Sequence, residues 1–284
     1  MKLMTKVFIL FAAVLAVAFY FLRDQFSDAP AAAPASSGNL ERLASLPGEV
    51  KESSGIETLP EKGHLITHND AGNKPYLYEI NEQGKLLKTY KLKLPNVDWE
   101  DLTRDDKGNL YISDTGNNDN KRRELAVYKV NYNAMNSPQA IRFTYEDQPH
   151  KTSKKDKIGF DSEAIFWYNN TLYLVTKDRS NTGEARIYTL PDTPGTHKAQ
   201  KAGTLKLKEP VTGAAISPDA SIVALLSEEK IHLYRDVPSP EKFYEQKAEE
   251  IKLDGAGQTE GITFEDAKTL LITSEGGNLY RYKL

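Results

Sequence analysis

The sequence predicts an all-β chain of five similar four-stranded units, and three observations carry that expectation. A short cassette recurs, opening on a small or acidic residue and an apolar stretch: Ser54-Gly55-Ile56, Glu100-Asp101-Leu102, Glu163-Ala164-Ile165, Thr212-Gly213-Ala214 and Glu260-Gly261-Ile262. Each copy later carries an apolar residue followed by tyrosine, at Leu77-Tyr78, Val127-Tyr128, Ile187-Tyr188, Leu233-Tyr234 and Leu279-Tyr280. The openings stand 46, 63, 49 and 48 residues apart. Repeats of that period, filled with strand-forming runs, read as the blades of a β-propeller. The 15 tyrosines and 10 phenylalanines suit such strands, because aromatic side chains cover a pleated surface well.

At the amino terminus, Val7 to Leu22 is an uninterrupted apolar run behind Lys2 and Lys6, followed by Arg23-Asp24. It fits a cleaved signal peptide or an uncleaved membrane anchor. The small-residue stretch Ala31-Ala32-Ala33 lies beyond a charged pair and far past the run for a peptidase that cuts close to it. Leu3, Met4 and a snorkelling Lys6 lengthen the run towards the ~20 residues a bilayer needs, which favours the anchor. The positive charge ahead of it keeps the amino terminus cytoplasmic. The rest is then exported to the periplasm or cell exterior, held on the inner membrane by a single pass. Residues 1–26 are thus the anchor or signal segment, 27–38 an Ala/Pro/Ser linker, and 39–284 the propeller domain.

Within that domain the units are expected at 53–95, 99–147, 161–207, 211–253 and 258–284. The second shows the plan. Its innermost strand begins at Trp99-Glu100-Asp101-Leu102, and the others follow at Asn109 to Ser113, Leu125 to Val130 and Ala140 to Tyr145. Gly and Asn cluster where the chain must turn, as in Asp114-Thr115-Gly116-Asn117-Asn118. The fifth unit stops after Leu279-Tyr280-Arg281-Tyr282 with no outer strand, which would leave a bare sheet edge. Asn39 to Ser45 is expected to supply that strand and close the ring. The second interval exceeds the others by about fifteen residues, and the excess, Glu146 to Ile158, is polar and lysine-rich. It reads as a solvated loop, with contact to an anionic surface as the sharper alternative.

In a propeller the cassette openings and the loops after the second strands converge on one mouth of the central channel. The openings contribute Ser54, Glu100, Glu163, Thr212 and Glu260; the loops contribute His68, Asp70, Asp114, Asn117, Lys177 and Arg179, among others. Carboxylates crowded near an axis repel one another and either take up protons or bind a cation. Glu100, Glu163 and Glu260 are therefore candidate metal ligands, and Ca²⁺ suits such oxygen donors. Asp70, Asp101, Asp114, Asn117, Lys177 and Arg179 are candidate ligand-binding residues. The competing structural reading has the same acids and hydroxyls satisfy backbone N–H groups of neighbouring blades. Gly55, Gly213 and Gly261 fit it, since inner strands crowd at the axis.

Other chemistry finds less support. Of the histidines, only His68 falls on the acidic face, where Asp70 or Asp114 could orient it as a general base. No Gly-x-Ser-x-Gly elbow or phosphate-cradling glycine loop accompanies it. Trp99 and Trp167 fit packing between blades. The formal charge of −3 and pI near 6.0 argue against a nucleic-acid binder. With no cysteine, disulfides, thiolate metal sites and cysteine nucleophiles are excluded.

The order and spacing of the five openings, together with the closing Leu279-Tyr280-Arg281-Tyr282, resemble the SdiA-regulated family of bacterial proteins. The resemblance implies an exported, membrane-attached five-bladed propeller, and no reaction. One departure is the richly acidic and amide pairing of Asp98-Trp99-Glu100-Asp101 with Asp114-Thr115-Gly116-Asn117-Asn118, which looks more like distant phytase-like or lactonase-like propellers. Three functions follow as expectations: a ligand- or metal-binding or sensing module, a divalent-metal-dependent hydrolase of esters, lactones or phosphates, and an interaction platform with no small-molecule site.

Overall fold

A computed structural model describes residues 36–152 and 159–284. The expected anchor, most of the linker and part of the lysine-rich loop lie outside these residues. The chain divides into Met1–Ala35 and Ser36–Leu284, and every residue described belongs to the second unit.

The strands form five antiparallel meanders in chain order. The first is β3 (Ser53–Thr58), β4 (His64–Asn69), β5 (Tyr76–Asn81) and β6 (Leu86–Lys91), preceded by β1 (Ser36–Ser37) and β2 (Leu40–Ser45). The second is β7 (Trp99–Arg104), β8 (Asn109–Asp114), β9 (Leu125–Asn131) and β10 (Gln139–Tyr145). The third is β11 (Ser162–Tyr168), β12 (Thr171–Thr176), β13 (Glu184–Pro191) and β14 (Gly195–Lys206). The fourth is β15 (Gly213–Ile216), β16 (Val223–Ser227), β17 (Lys230–Tyr234) and β18 (Glu249–Lys252). The last holds only β19 (Thr259–Asp266), β20 (Thr269–Ser274) and β21 (Asn278–Lys283).

Its missing outer strand is β2, which pairs antiparallel with β21, Leu40 opposite Tyr282 and Ser45 opposite Asn278. The last residues assigned to the linker are not free: β1 adds to the edge of β2. A second addition was not legible in the sequence. β14 pairs in parallel with β10, Ile141 opposite Gly195 through Tyr145 opposite Ala199. This joins the second and third meanders into one eight-stranded sheet.

The first strands β3, β7, β11, β15 and β19 each pack on the next, and β19 packs back on β3. The apolar side chains accordingly do not meet on a common axis. They form separate clusters between successive meanders. Leu172 and Leu174 of β12 face the second meander, whereas Tyr173 and Val175 face the fourth. A strand covered on both faces reads as a continuous apolar run, as Leu172-Tyr173-Leu174-Val175 does. Each such buried side chain contributes about 1.5–3 kcal/mol by leaving water.

With the apolar groups between sheets, the inner strands run close together. A Cβ added to Gly55 would lie 2.6 Å from the Leu102 nitrogen, so only glycine lets β3 approach β7 this closely. Hydroxyls tie neighbours across the seams. Ser53 Oγ donates to Thr273 Oγ1 at 2.9 Å, Thr115 Oγ1 to the Ser162 carbonyl at 2.6 Å, and Thr212 Oγ1 to the Thr259 carbonyl at 2.8 Å.

Candidate functional site

Successive side chains of a strand point to opposite sides, so residues two apart share a direction. Glu100 and Asp98 are two apart at the start of β7, as are Glu163 and Asp161 at the start of β11. A cavity of about 190 Å³ opens at these strand starts, lined by Ser54, Asp70, Glu100, Asn118, Glu163, Lys177, Arg179, Glu260 and Glu275, with Glu52 and Ser53 beside them. The structure therefore brings together all three expected metal ligands with Asp70, Lys177 and Arg179.

Within this mouth the carboxylates divide into two sets. Lys177 Nζ and Arg179 Nη2 both bind Glu163, and Arg179 Nε binds Asp161. This half is neutralised by the protein itself. Asp70, Asp98 and Glu100 form the other half, each offering an oxygen within 4.8 Å of the others, and Glu100 stands equally close to Asp161 and Glu163, so it belongs to both. Glu100 is only 7% exposed and makes no hydrogen bond or ion pair among the described residues. Burial pushes its carboxyl well above the usual range, reinforced by the charges of Glu163, Asp161, Asp70 and Asp98. Asp98 is raised to about 6 by burial and the neighbouring Asp70 and Asp161 charges. Burial raises Glu260 to about 8 against the pull of Lys177, and raises Glu163 to about 7 against Lys177 and Arg179. Gly116 closes the back of the site, since a Cβ there would stand 2.2 Å from Glu100 Oε1 and 2.3 Å from Asp98 Oδ2.

Four sequence-based assignments need correction. Asp101 does not reach the mouth, although it follows Glu100 directly. As the odd residue of its pair it points inward, where its carboxylate accepts from the backbone N–H groups of Leu102, Ile165 and Ala214 at 2.8–3.1 Å. It fastens three meanders together. Asp114 is spent on the Val97 and Asp98 N–H groups and on Arg122 Nη2 at 2.8 Å. Asn117 is spent on the Arg122 backbone and the Phe160 carbonyl. His68 is fully buried edge-on against Trp99, and burial pushes its imidazole down to about 4. It is a core residue without access to a substrate, which removes it as a general base.

Sequence reasoning assigned no role to Asp161 or Asp98. The repeated Asp-x-Glu at 98–100 and 161–163 is the signal that could have found both. A further group, Glu61, His64 and Glu79, lies away from this mouth, and there His64 Nδ1 already sits 2.7 Å from Glu79 Oε1. Among the described residues no helix is long and apolar enough to cross a membrane; the apolar run 7–22 lies outside them.

Several solved structures are similar to this chain. A protein of unknown function from Bacteroides thetaiotaomicron superimposes with a TM-score of 0.51 at 11% identity, over 86% of this chain and 75% of that one. A PQQ-bound aldose sugar dehydrogenase from Streptomyces coelicolor also gives 0.51, at 9% identity, over 88% of this chain and 99% of that one. A catalytically inactive virginiamycin B lyase from Staphylococcus aureus, solved with quinupristin, gives 0.43 at 15% identity, over 84% and 68%. At such identities the first two support a propeller-like all-β fold and nothing about activity. No curated protein matches the sequence. The sequence signature of one family spans residues 39–283, the whole of the described strand array beyond β1, and by that match the chain belongs to the SdiA-regulated family.

Proposed function

We propose that this protein is an exported, membrane-tethered five-bladed propeller that binds a divalent cation, calcium by preference, at the acidic mouth of its channel. The observation that carries the reading is Glu100, a buried carboxylate with no hydrogen bond or ion pair among the described residues, within 4.8 Å of Asp70 and Asp98. A carboxylate held out of water among other carboxylates is costly, and a hard cation is a ligand that offsets the cost. The reading refines the expected ligand set: Glu100 is kept, Asp70 and Asp98 join it, and Glu163 is given over to Lys177 and Arg179. Glu260 becomes a neighbour, and Asn118 adds an amide at the rim. The closed succession of inner strands supports five blades. The cytoplasm-to-periplasm tether rests on the apolar run 7–22.

The binding or sensing role is preferred to the hydrolase because the loss of His68 leaves no imidazole at the mouth. Glu260, raised to about 8, is the group left to move a proton there, and it keeps the hydrolase as the second reading. A calcium titration followed by thermal melting tests the proposal. Saturating Ca²⁺ should raise Tm, by about 2.7 kcal/mol of added stability at a hundredfold excess over Kd. No shift with Ca²⁺, Mg²⁺ or Mn²⁺ would refute it.

A further inference from the structure

The opposite mouth of the same channel holds a larger cavity, about 560 Å³, where the inner strands β3, β7, β11, β15 and β19 end. That volume lies within the range of small-molecule sites. Its chemistry differs from the acidic mouth. Trp167 and Tyr168, both half-buried, supply an aromatic side, and Trp167 Nε1 is tied to Asp192 Oδ2 at 2.9 Å. The indole is thus held in one orientation before any ligand arrives, which lowers the entropy cost of binding. Around it stand flat polar groups. Glu57 accepts from Thr263 Oγ1 at 2.7 Å and from Arg104 Nε at 3.3 Å, and a partly exposed Arg104 lines the cavity beside it. Asp106 and Asn169 are exposed at the rim.

We infer that this mouth is a second binding site, for a neutral saccharide of one or two rings. A sugar ring presents an apolar C–H face that packs on an aromatic side chain, and an edge of adjacent hydroxyls that act as both donors and acceptors. Carboxylate, guanidinium and amide groups match such hydroxyl pairs in planar, two-point fashion. Glu57 and Arg104 offset each other in charge, while Asp105 and Asp106 leave the cavity negative, which disfavours an anionic ligand. The inference is independent of the cation site, and its test is run in chelator so that failure of one does not touch the other.

The chain has two tryptophans, and Trp99 is fully buried, so ligand-dependent change in fluorescence reports Trp167. The full-length protein in EDTA would be titrated with maltose, cellobiose and N-acetylglucosamine, with calorimetry in parallel. The expected result is a saturable emission change with at least one sugar, and a calorimetric affinity for that sugar that falls at least tenfold in Trp167→Ala. Calorimetric affinity should fall about tenfold in Asp106→Ala, which removes only an exposed carboxylate and should leave Tm unchanged. No saturable response to any of the three sugars, by fluorescence or calorimetry, overturns the inference. So does binding that is undiminished in both variants.

Discussion

Adjacent acids in one cassette, Glu100 and Asp101, do opposite work because strand geometry turns them to opposite sides. Glu100 lines the mouth with no hydrogen bond or ion pair among the described residues, and Asp101 faces inward and gathers three backbone N–H groups. Their variants should separate cleanly. Glu100→Gln removes a repelled, buried charge, so in chelator Tm should rise, by roughly 1 kcal/mol of stability, while the Ca²⁺ shift disappears. Asp101→Asn should lower stability by about 1–3 kcal/mol, since at least one N–H loses its acceptor, and should leave the Ca²⁺ shift in place. Calorimetric melts with and without Ca²⁺ check both. That Glu100, Glu163, Glu260, Asp70, Lys177 and Arg179 would meet was legible from the repeat alone. Which carboxylates were already paired was not, because Lys177 and Arg179 lie after β12 and their reach to Glu163 and Asp161 depends on side-chain direction. His68 shows the same limit: the sequence places it at the right end of β4, and only packing against Trp99 shows that it faces the core.

At the scale of the element, the repeat pattern was a good guide to strands and a poor one to their outer edges. The expected Asn109 to Ser113 and Leu125 to Val130 differ from β8 and β9 by one residue each. The pairing of β2 with β21 was legible too, because a terminal meander one strand short needs a partner. The parallel pairing of β14 with β10 left no trace in periodicity, since both are outer strands and β14 is exposed or half-buried over most of its length. Closure carries its own prediction. A chain starting after Ser45 would uncover the edge of β21 and the cluster that includes Leu40. It should lose its sharp thermal transition or associate through the bare edge, as followed by melting and size-exclusion chromatography.

For the whole molecule, the acidic mouth fixes how stability responds to pH. Asp98, Glu163 and Glu260 sit near 6, 7 and 8, above the ordinary carboxyl values of about 3.9–4.3 expected on unfolding. Between those limits the folded state holds more protons than the unfolded one, so stability falls as pH rises from about 4 to 8. In chelator Tm should therefore decline steadily from pH 5 to pH 8, and Ca²⁺ should flatten the decline by replacing the departing protons; a profile rising over that range would contradict the proposed site. The eight-stranded sheet adds a mechanical consequence. Asp98 and Glu100 stand on one side of the stitched seam, Asp161 and Glu163 on the other, and the strap through Tyr145 and Ala199 holds those two meanders together. Amide exchange in β10 and β14 should consequently be slow and synchronous. Any breathing of the strand array should be taken up where successive meanders share no strand pairing, leaving the spacing between the two acid pairs the least elastic dimension of the mouth.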